Sequence, residues 1–343
     1  MPRLRYAIYT IILSLLALDL ANADEVRVLH YGGVFGQAMK EAFFEPAAKE
    51  MNTAVIDQSR TDMAKIKASV ESGKPEWDVV NVNTLEVGRG AREGLWEKID
   101  WSAIDPKVVG PVGPLDYGVA FIGFSIGLTY STKEYPDPTK APQSWADFWD
   151  VKKFPGPRAL ENRVRYQLEF ALLADGVPRD KLYPLDVDRA FRKLDQIKPY
   201  IVTWARPPVQ PLELLMRGEV VMAPVLSDVV FDAVKKGGAI APVWNESLYL
   251  TNSWSIVKGS PNVKKATEFI KTVTQPAYEA RLAELTGYGP MNPDALALVK
   301  PETRKWLPTE KEHLAREVQF DNEYWAKNEA ALIERWTRWL AEK

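Results

Sequence analysis

The chain has 343 residues, enough for about two domains, and its 46% apolar and 26% charged residues are typical of a folded globular protein. Lysine and arginine number 44 against 46 aspartate and glutamate residues, so nucleic acid is not an expected partner. Cysteine is absent and only two histidines occur, which excludes thiolate chemistry and favours binding over catalysis, with no cofactor and no metal.

The first predicted element is an export signal over residues 1–23. Two arginines precede an apolar run over residues 7–18, which is too short to span a bilayer. Asp19 shortens the run further and argues against an uncleaved anchor. Small residues at Ala21 and Ala23 suit signal peptidase, so we expect cleavage after Ala23 and a periplasmic protein that is not inserted in the membrane.

Strands and helices alternate through the next part of the chain. The predicted elements are a strand at 26–29, a glycine-rich loop at 31–36, a helix at 37–51, a strand at 54–56, a helix from 63 that ends at Gly73, and a strand at 77–82. Asn83 is a candidate N-cap for the following helix. This alternation is typical of an α/β domain with parallel strand pairing.

A second α/β set follows. It consists of helices at 163–173 and 187–197, a strand at 220–225, and a helix capped by Ser227 and Asp228. Between the sets lie two extended stretches, 125–130 and 248–257, which we interpret as strands that cross from one lobe to the other. Two such crossings make a hinge.

The pattern therefore predicts an α/β protein with two lobes and two hinge crossovers. Lobe 1 comprises residues 24–127 plus 252–300, and lobe 2 comprises 128–251. From 310 to 340 the apolar residues fall on one helical face, while acidic residues dilute the opposite face. We expect this C-terminal segment, 301–343, to be an amphipathic helix or helix pair that packs on the body rather than on a membrane.

One enzymatic pattern occurs by chance. Residues 123–127 match G-x-S-x-G, but a strand continues after them, whereas a hydrolase elbow turns into a helix. Better candidates are the loops after the strands, because ligands of open α/β sheets bind beyond the carboxyl ends of the strands. Asp62, Asn83 and Asp228 lie there, and each also suits a helix N-cap. Aromatic residues near the lobe junctions, such as Trp204, suit core packing equally well.

Several short segments are similar to segments of one known protein family and occur in the same order as in that family. They are Tyr-Gly-Gly at 31–33, Ala-Phe-Phe-Glu-Pro at 42–46, Glu-Trp-Asp-Val-Val at 76–80, Ser-Trp-Ala-Asp-Phe-Trp-Asp at 144–150, Phe-Pro-Gly-Pro-Arg at 154–158, Gly-Glu-Val at 218–220 and Tyr-Gly-Pro-Met-Asn at 288–292. The chain thus resembles bacterial extracellular solute-binding proteins of the spermidine/putrescine group. This resemblance implies the type II periplasmic-binding-protein fold, a monomer, and an inner-membrane ABC permease as partner.

The resemblance also implies acidic side chains for the ammonium groups of the solute and aromatic rings for its methylene chain. Arginines depart from that pattern, because a guanidinium suits a carboxylate and opposes a polyamine. We therefore expect an ω-amino acid such as γ-aminobutyrate, with a polyamine as a close alternative. The predicted ligand-binding residues are Tyr31, Phe35, Asp62, Asn83, Arg163, Trp204, Arg206, Asp228, Trp244 and Tyr288.

Three other functions remain as alternatives. A ferric-ion binder on the same fold requires a pair of liganding tyrosines. Tyr288 is a single tyrosine before Gly289, which argues against this alternative. The twelve tryptophans are compatible with a saccharide binder. A saccharide does not require the acidic and arginine residues predicted for the site. A periplasmic hydrolase needs two convergent carboxylates, which spacing in the sequence does not test.

Overall fold

The computed structural model describes residues 24–206 and 208–342, so the predicted export signal and its cleavage site lie outside the described residues. Eleven strands form one continuous sheet. The strands are β1 (Glu25–His30), β2 (Ala54–Ser59), β3 (Val79–Asn83), β4 (Val119–Ser131), β5 (Arg158–Glu161), β6 (Ile201–Ala205), β7 (Met222–Leu226), β8 (Ile240–Pro242), β9 (Leu248–Ile256), β10 (Gly289–Pro290) and β11 (Val318–Gln319).

Helices cover the faces of this sheet. They are α1 (Gly33–Met39), α2 (Glu45–Glu50), α3 (Met63–Glu71), α4 (Thr84–Arg92), α5 (Trp145–Trp149), α6 (Gln167–Ala174), α7 (Val187–Ile197), α8 (Gln210–Arg217), α9 (Ser227–Lys235), α10 (Val263–Val273), α11 (Pro276–Thr286), α12 (Pro293–Leu296), α13 (Pro301–Arg304), α14 (Lys311–Leu314) and α15 (Asn322–Ala341). A π-helical turn over Lys40–Phe44 joins α1 to α2, and 3-10 turns occupy Pro106–Val112, Arg179–Lys181 and Lys198–Tyr200.

The strand order β2-β1-β3-β9-β4-β7-β5-β6 divides the sheet into two halves. The outer strands of each half pair in parallel, whereas β4 and β9 run antiparallel to each other in the middle. Strand β4 pairs with β9 over its first part and with β7 over its second, and Ile126 lies in both pairings. The two long strands therefore connect lobe 1, which contains β1 to β3, to lobe 2, which contains β5 to β7.

Two predicted elements begin at the wrong residue. The helix predicted from 37 begins at Gly33, with Gly32 as its N-cap. Gly36 therefore lies inside the helix and packs closely on His30, since a Cβ there would lie 2.6 Å from the imidazole. The segment predicted as a glycine-rich loop is therefore mostly helix. The helix predicted from 163 begins at Gln167, because Tyr166 has a φ of +73° and interrupts the helical conformation.

The C-terminal helix α15 buries its apolar stripe, including Trp325, Leu332, Trp336 and Trp339, against lobe 2. Trp204 of β6 packs edge-on against two of these tryptophans at 5.5 and 5.6 Å. No helix within 24–206 and 208–342 is long and apolar enough to cross a membrane. The amphipathic C-terminal face is therefore a packing surface.

A buried carboxyl lies beside the hinge. Glu317 accepts a hydrogen bond from the Ser125 hydroxyl of β4 at 2.7 Å, and burial raises the pKa of Glu317 to about 8. Because the folded chain holds this proton more tightly than the unfolded chain, Glu317 contributes stability at low pH that is lost as the pH rises through about 8.

Glu317→Gln should therefore raise the melting temperature at pH 8.5, by about 3 °C or more, because the amide keeps an acceptor for Ser125 and has no proton to lose. The gain should shrink toward pH 5. Thermal melts of both proteins across this range test the expectation. A gain that does not depend on pH would contradict the account of Glu317.

A candidate ligand site between the two lobes

Asp228 and Tyr288 meet where the lobes face each other. Asp228 stands in the first turn of α9 in lobe 2, and its Oδ1 atom is buried without a hydrogen-bond partner among the described residues. Burial raises the pKa of Asp228 to about 6, and the neighbouring Tyr288 hydroxyl partly offsets this rise. In turn, burial and the Asp228 carboxylate raise the pKa of Tyr288 well above its usual value.

The predicted cap at this helix is wrong. The N-cap residue of α9 is Leu226, which makes no side-chain capping bond. The hydroxyl of Ser227 instead accepts the backbone N–H of Ser125 on the hinge strand, at 3.1 Å. Asp228 is consequently available for a ligand.

Aromatic rings surround Tyr288. Phe35 of α1 meets it edge-to-face at 5.0 Å, and Phe124 of β4 does so at 5.8 Å. Tyr31, directly after β1, lies near enough for its charge to raise the pKa of Tyr288. Three of the predicted aromatic residues, Tyr31, Phe35 and Tyr288, are therefore neighbours at the end of lobe 1.

Asn83 fixes the position of Tyr31. The backbone N–H of Asn83 donates to the Tyr31 hydroxyl at 3.0 Å, while the Asn83 side chain accepts the N–H of Glu86 and caps α4. Burial of the hydroxyl raises the pKa of Tyr31 to about 12, and the nearby Tyr166 adds to this rise. At neutral pH the phenol therefore keeps its proton and can donate it to a ligand.

Arg163 lies on the lobe 2 side, in the turn after β5. Its Nε atom pairs with the buried Glu161 carboxylate at 2.8 Å, and its guanidinium lies 5.5 Å from the centre of the Tyr166 ring. No hydrogen bond among the described residues engages its terminal nitrogens. Burial raises the pKa of Glu161, and Arg163 opposes that rise. Tyr288 thus lies beside the acid Asp228, and Tyr166 lies beside the guanidinium of Arg163.

The remaining predicted residues lie apart from this group. Asp62 is an exposed N-cap of α3 that accepts the N–H groups of residues 64 and 65. Trp204 packs against α15, and Trp244 stacks on His313 at 4.0 Å. Arg206 is exposed, and its backbone N–H donates to Gln210.

Two residues near this group of aromatic side chains, Tyr166 and Phe124, were not predicted from the sequence. The positive φ of Tyr166 places its side chain near this group. Positive φ is uncommon in residues other than glycine, so a sequence pattern does not reveal it. Phe124 belongs to an apolar hinge strand whose residues resemble ordinary core. In residues 24–206 and 208–342, no cluster of three or more histidine, aspartate or glutamate side chains could hold a metal ion.

Such an arrangement suits capture of a small polar solute. The buried carboxylate accepts from an ammonium, the phenols and guanidinium donate to an anion, and the rings contact a short alkyl chain. Because the groups come from both lobes, a bound solute favours lobe closure. A two-lobed fold with an interlobe site of this kind defines a solute-binding receptor.

Comparison with known proteins agrees with this class. Residues 44–309 match the model of the bacterial extracellular solute-binding protein family, and the chain belongs to that family. A gamma-aminobutyric acid-binding protein of Pseudomonas aeruginosa is 38% identical over 94% of this chain and 92% of its own length. A spermidine/putrescine-binding periplasmic protein of Escherichia coli is 25% identical over 84% of each chain.

A solved structure of a GABA receptor aligns with a TM-score of 0.84 and 33% identity, covering 93% of this chain and 98% of that chain. The predicted fold class and the predicted family are confirmed. The chain is therefore an extracellular solute-binding protein. A solved structure of an ABC transporter substrate-binding protein from Bradyrhizobium japonicum is 38% identical to it, with a TM-score of 0.87 over 92% of this chain and 99% of that chain.

Proposed function

We propose that the protein captures an ω-amino acid of the γ-aminobutyrate type between its lobes and delivers it to an inner-membrane permease. The Oδ1 atom of Asp228 carries this proposal, because it is buried without a hydrogen-bond partner among the described residues, and a cation stabilises a buried carboxylate. The chain is exported, is cleaved after Ala23, acts in the periplasm as a monomer and does not transform its solute. A gamma-aminobutyric acid-binding relative that covers most of the chain supports the ligand class.

The two ends of the solute bind different groups. The ammonium approaches Asp228, where the carboxylate and the Tyr288 hydroxyl provide acceptors. The carboxylate approaches Arg163, whose Nε forms an ion pair with Glu161, although the geometry is not that of a hydrogen bond, while the terminal nitrogens remain for a bidentate contact. The methylene chain lies along the rings of Tyr31 and Phe35. In this orientation each charge of the solute meets an opposite charge of the protein.

Thermal-shift measurements with fragments of the solute test this polarity. We expect γ-aminobutyrate to raise the melting temperature, since a ligand at 100 times its Kd adds about 2.7 kcal/mol of stability. Butyrate lacks the amine and n-butylamine lacks the carboxylate, so neither should produce the same shift at equal concentration. An equal shift with butylamine would remove the role proposed for Arg163.

Other members of the panel decide between alternatives. A shift with putrescine or spermidine alone would favour a polyamine, the ligand of the Escherichia coli relative. Ferric ion belongs in the panel because Tyr288 lies beside Asp228 and has a second tyrosine, Tyr31, as its neighbour. Oligosaccharides test the saccharide alternative, and analysis of the solute after incubation tests for turnover.

A further inference from the structure

The C-terminal helix α15 is anchored to lobe 2. The indole N–H of Trp325 donates to the buried Glu169 carboxylate at 2.5 Å, and that of Trp339 donates to Asp195 at 2.7 Å. The tryptophan stripe fills the lobe 2 core beside these bonds. Any movement of lobe 2 therefore carries α15 with it.

The same helix touches lobe 1 through a set of alternating charges. Glu329 is nearly buried, with 7% of its side chain exposed; one oxygen pairs with Arg165 of lobe 2, and the other lies 3.2 Å from Arg89 of α4 in lobe 1. Arg89 also pairs with Glu86 at 3.0 Å. We call Glu86, Arg89, Arg165 and Glu329 the interlobe charge cluster.

We propose that Glu329 is a positioning residue that sets ligand affinity by holding the lobes closed, although it does not touch the solute. Separation of the lobes takes Arg89 away from Glu329 and leaves a buried carboxylate with one cation in place of two. An ion pair that is nearly buried is screened less than a surface pair, so its loss opposes opening.

The interlobe charge cluster is also adjacent to the site. Helix α4, which carries Glu86 and Arg89, begins at the cap residue Asn83, whose N–H holds the Tyr31 hydroxyl. The charge of Glu86 raises the pKa of Tyr31, which places the two side chains close together. Closure around a solute and formation of the cluster therefore bring the same two surfaces together. The effect on affinity rests on the proposed function, whereas the effect on closure does not.

Arg89→Gln removes the interlobe contact and leaves the pairing of Arg165 with Glu329 intact. It also removes the pair between Arg89 and Glu86 on α4, so the interlobe distance without ligand is the deciding measurement. Arg335→Gln is the matched control: Arg335 lies on α15, as Glu329 does, but pairs with Asp188 of α7 in lobe 2, at 2.6 Å. Because the chain has no cysteine, spin labels attach only where cysteines are introduced. Exposed Lys74 in lobe 1 and Lys152 in lobe 2 are suitable positions.

Interlobe distances are measured by pulsed electron paramagnetic resonance without ligand. We expect Arg89→Gln to shift the distribution toward longer distances, and Arg335→Gln to leave it unchanged. Affinity for γ-aminobutyrate should fall about threefold to tenfold in Arg89→Gln alone, with a melting temperature close to that of the control.

The outcomes separate the two proposals. An unaltered distance distribution in Arg89→Gln, or the same shift in Arg335→Gln, would overturn the role of Glu329. A shifted distribution together with no binding of γ-aminobutyrate to the unsubstituted protein would support the charge cluster and overturn the proposed ligand.

Discussion

Asp228→Asn should lower affinity for γ-aminobutyrate about 100-fold or more, because loss of one member of a buried charge pair costs several kcal/mol. The substitution preserves the size of the side chain and removes its charge. Asp232→Asn is the matched control, since Asp232 lies one turn later on α9 and pairs with exposed Lys236 at 2.6 Å. Isothermal titration of the three proteins measures the difference, and full retention of binding by Asp228→Asn would contradict the proposed ammonium site.

The same substitution should stabilise the protein without ligand. Burial raises the pKa of Asp228 to about 6, so the folded state loses stability as the pH rises from the ordinary aspartate pKa through about 6. At pH 7.5 the asparagine variant avoids this cost, and we expect about 1 kcal/mol of added stability that disappears near pH 4. Higher stability with lost binding is the signature of a group retained for its ligand.

Affinity should follow the same titration. An ammonium binds the ionised carboxylate, and one unit below a pKa about one-tenth of the group is ionised. Binding of γ-aminobutyrate to the unsubstituted protein should therefore weaken about tenfold between pH 7.5 and pH 5. The same affinity at both values would show that Asp228 is not the group that binds the solute.

Periodicity and composition predict most of the fold because long, apolar strands and capped helices carry their own signals. The crossing strands illustrate this. The stretch predicted at 125–130 lies inside β4, which begins earlier, at Val119, and the stretch predicted at 248–257 matches β9 to within one residue. The exact division of the chain into lobes stays a prediction. Gly36 and Tyr166 show what local patterns miss, since one is set by contact with His30 and the other by a backbone conformation that tertiary packing imposes.

The ends of parallel strands explain which predicted residues the fold brings together. Tyr31, directly after β1, and Asn83, the last residue of β3, are neighbours because parallel strands end at one edge of the sheet. The tryptophans predicted near the lobe junctions lie apart from this group. In the C-terminal segment, Trp336 packs on Trp204 and His313 stacks on Trp244. These partners are distant in sequence, so no local pattern predicts the contacts.

The position of the solute carboxylate gives the second large expected effect. Arg163→Gln should lower affinity for γ-aminobutyrate about tenfold or more, because it removes a bidentate, charge-assisted contact. Putrescine, which has no carboxylate and is repelled by a guanidinium, should bind the variant at least as tightly as it binds the unsubstituted protein. Isothermal titration of the variant with both solutes measures the difference. Retained binding of putrescine would show that the variant is folded and that the loss is specific to the carboxylate.

Arg206→Ala decides between the two predicted arginines. Arg206 is exposed and lies outside the tyrosine group, so the variant should bind γ-aminobutyrate as the unsubstituted protein does. Loss of binding in Arg206→Ala, with Arg163→Gln unaffected, would instead place the carboxylate at Arg206. Because Glu161 loses its cation in Arg163→Gln, the pKa of its buried carboxyl should rise further, so titrations at two pH values show whether Glu161 contributes to the change in affinity.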